Sequence, residues 1–146
     1  MKNNFPWIQS FFEAMPGVTS DFKPEWGWTR FKLGGKMFAA LLKDGEGEDF
    51  ALTIKADPVE AELARATFWR VFPGYYCDKR CYNSIYLGDP GPDWEKVCAA
   101  IKDAASDAGA ELPEALLKDM CRRSYALARA ALPRKVAAAL EIAPDA

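Results

Sequence analysis

The fold is decided at residues 28–42, where the sequence reads WTRFKLGGKMFAALL. Phe31 and Leu33 alternate with polar neighbours, which is the two-residue period of a half-buried strand. Gly34 and Gly35 follow as a two-residue turn, because the tight turns that join paired strands need positive φ angles. The apolar run after them returns beside the first strand. This stretch therefore predicts a β-hairpin.

The same reading, carried outward from the hairpin, predicts the remaining elements. Asp57 and Pro58 begin a helix, because aspartate caps the first free amides and proline suits the first turn. Strands grouped between helices indicate an α+β fold with an antiparallel sheet, and we expect helices on one face, with the other open to solvent or a partner. The predicted order is α-β-β-β-α-β-β-α-α, with helices at residues 6–15, 58–68, 93–108 and 113–132, strands at 28–33, 36–42, 50–55, 75–77 and 82–87, and a short alanine-rich helix in the tail at 134–146.

Length and composition are those of one domain spanning residues 1–146, half of whose residues are hydrophobic. No apolar run reaches the roughly 18 residues that a membrane span needs, and the first residues lack the apolar stretch of a secretory signal. We therefore expect a cytoplasmic protein with no membrane partner. The net charge of −2 opposes tight DNA binding by overall charge alone, although a local basic patch would suffice.

The reactive residues give little support to an enzyme. The chain has no histidine, and its four cysteines are Cys77, Cys81, Cys98 and Cys121. The spacing of Cys77 and Cys81 is not that of a zinc knuckle, and a cytosolic disulfide between them would be unusual. We interpret all four as small hydrophobic residues, and we expect no cofactor, no metal and no catalytic site.

Several short motifs, in their order, resemble the YjbR/MmcQ-like family over about residues 5–132. They are GGKMF at 34–38, KADP at 55–58, PGY at 73–75 leading to NSI at 83–85, and SYAL at 124–127. The resemblance implies a small bacterial DNA-binding protein with a secretion-chaperone-like fold, whose paired hairpins form a double wing that reaches toward DNA. Two departures stand out: residues 78–83 read DKRCYN where the family commonly has NKRHWN, and residues 90–110 look like an insertion carrying the extra helix at 93–108.

Three groups of polar residues are candidates for contacting nucleic acid, because lysine and arginine bind phosphates and asparagine can pair with an adenine edge. Each group also has an ordinary interpretation, as turn residues facing water, as lysines that protect edge strands, or as a solvated helix face. The segment 118–135 is the densest, with six cations against one anion. The candidates are Lys79, Arg80 and Asn83 at the second hairpin, Lys32, Lys36 and Lys55 near the first, and Lys118, Arg122 and Arg129 on the last long helix.

Two functions follow as hypotheses. The first is a small non-enzymatic DNA-binding protein that contacts the nucleic-acid backbone through its hairpin tips and the basic helix. The alternative is a protein–protein interaction module, either a homodimer or a peptide-binding domain, with no nucleic-acid role. The added helix after Pro92 and the aromatic side chains of the sheet would form its contact surface.

Overall fold

The computed structural model describes residues 2–74, 77–78, 80–100 and 109–140, and in these ranges the chain forms five helices and six strands. The strands make one antiparallel sheet in the order β1-β2-β3-β4-β6-β5. The fold is therefore α+β, as predicted. The helices are α1 (Ile8–Glu13), α2 (Pro58–Thr67), α3 (Pro92–Ala100), α4 (Glu114–Ala130) and α5 (Arg134–Ala139), and the strands are β1 (Thr19–Lys23), β2 (Trp28–Leu33), β3 (Lys36–Lys43), β4 (Asp49–Lys55), β5 (Val71–Pro73) and β6 (Tyr82–Tyr86).

The hairpin predicted from residues 28–42 is confirmed. Leu33 pairs with Lys36 across the turn between β2 and β3. The two turn residues, Gly34 and Gly35, have φ angles of 61° and 79°, in the left-handed region that glycine enters at low cost. The start of α2 is also as predicted, because the Asp57 side chain accepts a hydrogen bond from the Glu60 amide.

The strand β1 was not predicted from the sequence. It pairs along β2 from Thr19 opposite Lys32 to Lys23 opposite Trp28, and it forms one edge of the sheet. Four of its five residues are exposed, so it lacks the alternation of apolar and polar residues that identifies a half-buried strand. As a consequence, β2 has a neighbour on both sides.

The strand predicted at residues 75–77 is wrong at Cys77, which lies in a bend. Tyr75 and Tyr76 lie outside the described residues. The strand that pairs with β6 is β5, which ends at Pro73. The strand β5 is the other edge of the sheet, where proline is tolerated because its missing amide faces away from the ladder.

Apolar side chains cover both faces of the sheet. On the first face, α1 and α4 pack on β2, β3 and β4, and the Phe12 ring stacks on Phe31 with centroids 4.8 Å apart. The expectation of an open second face is wrong where α3 packs. There Trp94 is 6% exposed, and its ring lies 4.8 Å from Tyr86 and 5.9 Å from Phe72. The second half of the helix predicted at 93–108, residues 101–108, lies outside the described residues.

A buried guanidinium holds the two ends of the segment that contains α3. Arg70 donates to the carbonyl oxygens of Tyr86 and Gly88 at 3.0 and 2.7 Å, and it forms an ion pair with Glu111, just before α4. Its guanidinium carbon also lies 4.4 Å from the centre of the Trp69 ring. A buried charge needs such partners to offset its lost hydration. Arg70 therefore fixes where the chain leaves β6 and where it enters α4.

Candidate nucleic-acid interface

The antiparallel register brings both predicted hairpins to the same end of the sheet. Near this end, Ala39 of β3 pairs with Ile54 of β4, so the start of β3 lies beside the end of β4. Lys55, the last residue of β4, pairs with Tyr82, the first residue of β6. The turn that precedes Lys36 and the loop that precedes Tyr82 therefore emerge on one side of the molecule.

The β2–β3 turn packs against the junction of α4 and α5. A Cβ atom built on Gly34 would lie 2.6 Å from Leu132 Cδ2 and 3.0 Å from Val136 Cγ1, so an alanine here would require both side chains to give way. The junction exists because Pro133 ends α4 and begins α5. A cavity of about 230 Å³ between turn and junction is bordered by residues of both, Lys36 among them.

Two cations border this packing, and two more follow it in the chain. Lys36 follows the turn, Lys55 borders the same cavity, and Arg134 and Lys135 follow Pro133 directly. Lys36, Arg134 and Lys135 are exposed, and Lys55 is half-buried. The segment 122–140 contains no aspartate or glutamate. We call these four residues the basic corner.

Ser124 fixes the backbone beneath the basic corner. Its hydroxyl donates to the Phe38 carbonyl at 3.2 Å and accepts from the Lys55 amide at 3.0 Å, which joins α4 to β3 and β4. The side chain is fully buried. Beside it, the Tyr125 hydroxyl donates to the Pro16 carbonyl at 2.6 Å. Ser124 therefore links α4 to the end of β4, where Lys55 lies.

The second hairpin has a weaker positive charge than its lysine and arginine alone would give. The Arg80 side chain is 86% exposed, and its guanidinium lies 3.3 Å from the Asp78 carboxylate. Hydrogen bonds from Arg80 lower the pKa of Asp78, so this carboxyl stays ionised and offsets one cation. Lys79, the other predicted contact at this tip, lies outside the described residues.

Asn83 is not available for the base contact predicted from the sequence. It is fully buried on β6. Its amide nitrogen donates to the Ala61 carbonyl at 3.1 Å, and its amide oxygen accepts from Arg65 at 2.8 Å. Both polar groups thus bind α2. The prediction was wrong because a polar residue at the start of a strand gave no sign that a helix would cover it.

Lys32 belongs to an ion-pair cluster on the edge of the sheet. Its ammonium lies 3.0 Å from the Asp21 carboxylate, which Arg30 also binds at 2.8 Å. Hydrogen bonds from Arg30 and then Lys32 lower the pKa of Asp21 to about 2. The sequence could not indicate this pairing, because Asp21 lies on the unpredicted strand β1.

Two of the candidates on α4 contact aromatic rings near α1. Lys118 and Arg122 lie 5.1 and 5.3 Å from the ring centres of Trp7 and Phe11 on the α1 side, and Arg122 also pairs with Asp119 at 2.8 Å. Arg129, near the C-terminal end of α4, is half-buried. The structure therefore places Lys36 and Lys55 at one cavity beside the α4–α5 junction, which Arg134 and Lys135 follow in the chain. The latter two had been counted in the basic segment without being chosen as contacts.

Two of the cysteines are less acidic than an ordinary thiol. Burial raises the pKa of Cys77 and raises that of Cys121 to about 12. Cys77 and Cys98 pack against the apolar cluster on the second face. Within the described ranges, no group of three histidine, cysteine or acidic side chains is arranged to hold a metal ion. None of the described helices is both long and apolar enough to cross a membrane.

Comparison with known proteins gives three findings. The YjbR family model matches residues 13–104. The chain is 29% identical over 97 residues to the uncharacterized protein YbdF of Escherichia coli O157:H7, a match that covers 66% of this chain and 61% of that protein. Its fold is similar to that of the Deinococcus radiodurans protein DR2400, with a DUF419 domain, at a TM-score of 0.68 and 20% identity over 97% of this chain and 90% of that one. The chain thus spans less than two thirds of its curated relative, and the structural likeness concerns the fold alone.

Proposed function

The chain belongs to the YjbR family, and from this premise we propose that it is a small, cytoplasmic, non-enzymatic DNA-binding protein. The observation that supports the proposal most is the packing of Gly34 against Leu132 and Val136. This contact joins the first hairpin to the cations that follow α4. The basic corner is therefore a local positive surface on a chain whose net charge is negative.

The proposed contacts are to phosphates. Lys36, Arg134 and Lys135 are exposed and can reach a backbone, and phosphate contacts position a protein without reading sequence. With Asn83 buried, the asparagine assigned to an adenine edge is not available. We therefore expect modest affinity with weak sequence preference. Three phosphate contacts would give a slope of about −3 in a plot of log affinity against log salt concentration.

In a double-wing arrangement, the second hairpin would contact DNA together with the first. Arg80 is exposed at the same end of the sheet as the basic corner, so one duplex could contact both. Asp78 would repel phosphate at that tip. We therefore expect the first hairpin and the α4–α5 junction to supply most of the affinity.

The test compares two variants that remove the same charge from different places. Arg134→Ala with Lys135→Ala removes half of the basic corner, whereas Lys2→Ala with Lys96→Ala removes two exposed lysines elsewhere. Fluorescence anisotropy would follow binding to a labelled mixed-sequence duplex, and to the matching single strand, at two salt concentrations. We expect the first variant to bind more weakly and to flatten the salt slope by roughly 0.9 for each lost contact, and the second to keep the wild-type slope.

Two outcomes would contradict this proposal. One is an absence of binding at low salt, after which the interaction module remains as the alternative. The other is an equal loss in the two variants, because the basic corner would then act only through overall charge.

A further inference from the structure

Helix α2 presents an apolar ridge to solvent. Val59 and Leu63 are one helical turn apart, and they are 74% and 66% exposed. They lie on the side of α2 opposite Ala61, which is fully buried against the sheet. These two side chains present apolar surface on one helix face, and such surface marks a contact site where it is part of a larger contiguous patch.

A groove lies next to this ridge, between α2 and α4. Its volume is about 370 Å³. Leu63 and Ala64 of α2 form one wall, Leu116 and Met120 of α4 form the other, and Phe68 also borders it. The ridge and the groove therefore belong to the same continuous surface.

A surface with both a ridge and a groove is complementary to itself. In a pair of copies related by a two-fold axis, the ridge of one copy enters the groove of the other, and symmetry repeats the contact in reverse. A small ligand in the groove would leave Val59 exposed. A second copy would cover both features at once.

The charges around the groove also match a second copy. Glu60 and Glu62 lie on α2, and the groove is bordered by two cations, Lys55 and Arg123, and by one carboxylate, Glu60 of the same chain. Arg123 lies 3.8 Å from Glu60 of its own chain, a long ion pair between two side chains that are both more than half exposed. When α2 of a second copy enters the groove, its carboxylates meet these cations, and such complementarity favours the correct partner.

We propose that two copies of this chain form a two-fold homodimer in which the α2 ridge, Val59 and Leu63, docks into the α2–α4 groove of the other copy. The dimer does not depend on DNA. It would carry two basic corners, and the binding of two linked sites to one duplex would raise the affinity beyond that of a single site.

The first test is the mass of the protein in solution without DNA. Light scattering coupled to size-exclusion chromatography measures this mass over a range of protein concentrations. The measured mass should approach twice that of one chain. Leu63→Asp should remain monomeric, and circular dichroism would verify its fold. The matched control is Phe22→Asp on β1, which changes a residue that is 49% exposed and far from the groove, and should remain dimeric. A wild-type protein that is monomeric throughout, or a Leu63→Asp protein that is dimeric, would overturn the proposal.

The second test distinguishes a second copy from any other occupant of the groove. The double variant Glu60→Arg with Glu62→Arg places two arginines of α2 against Arg123 of the other copy. The single variant Arg123→Glu places its new carboxylate against Glu60 and Glu62 of the other copy. Each variant should be monomeric by itself, whereas both contacts become attractive when the two are mixed. The mixture should therefore recover the doubled mass. A mixture that stays monomeric would show that the occupant is a different partner.

Discussion

Replacing Gly34 with alanine tests the contact on which the basic corner depends. Its φ angle of 61° is left-handed and costs an alanine about 1–2 kcal/mol. The new Cβ would also lie 2.6 Å from Leu132 and 3.0 Å from Val136. Leu132 can turn its tip away, but Val136 is branched at Cβ and stiff about χ1, so α5 must shift at a further cost of roughly 1 kcal/mol. We expect the free energy of unfolding to fall by about 2–3 kcal/mol.

The adjacent glycine provides the matched control. Gly35 has a φ angle of 79°, but nothing lies within 4 Å of the Cβ that an alanine would add. Gly35→Ala should therefore show only the backbone cost of about 1–2 kcal/mol. Urea denaturation of both variants measures the difference. Amide hydrogen exchange over residues 134–139 should accelerate in Gly34→Ala alone, because only this variant displaces α5.

Equal losses of stability, with unchanged exchange in α5, would refute this reasoning. The β2–β3 turn would then not be held against the junction of α4 and α5. The argument that Lys36 lies beside the junction that Arg134 and Lys135 follow would fail with it, even if DNA binding were observed by another surface.

Three further predictions concern single side chains. Asn83→Ala should lower the free energy of unfolding by about 1–3 kcal/mol, because it leaves buried groups without partners. The folded variant should nevertheless bind DNA in the anisotropy assay as the wild type does. Weaker binding would indicate that Asn83 contacts DNA after all. Ser124→Ala should lower the free energy of unfolding, measured by urea denaturation, by a similar amount. Ser10→Ala removes only an exposed hydroxyl and should lower it little. Equal losses in the two variants would contradict the role given to Ser124. The pKa of Asp21 is lowered from 3.8 to about 2, so its contribution to stability is complete above about pH 4 and is lost as the pH falls toward 2. Carboxyl NMR should find this low midpoint and its return toward 3.8 in Arg30→Ala, and an unchanged midpoint in the variant would exclude the pairing.

The elements that sequence could predict are those with local causes. The alternation around Phe31, the Gly34-Gly35 turn and the Asp57-Pro58 helix start each depend on neighbouring residues, and all are present. No local pattern predicts the strand β1. It is an exposed edge strand that is held by its hydrogen bonds to β2 and buries no apolar face. The covered second face depends on where Trp94 docks, which only the tertiary fold decides.

The residues of the candidate site likewise divide into those that local sequence predicts and those that only the tertiary fold decides. Lys36 and Lys55 were predicted as contacts because local sequence patterns and the family motifs indicate the hairpins. Their position beside the α4–α5 junction follows from a contact between Gly34 and Leu132, which are far apart in the chain and share no local pattern. Asn83 was misread for the opposite reason, since its partners on α2 come from a helix whose position over β6 no spacing reveals.

The buried Arg70 has a consequence for how this protein can change over evolution. One guanidinium binds the chain at Gly88 and again at Glu111, so the two anchor points keep their separation whatever sequence joins them. A change of length in the segment between them therefore need not move α4, provided that Trp94 of α3 still covers the second face of the sheet. Loss of the Arg70 side chain would release both anchor points at once.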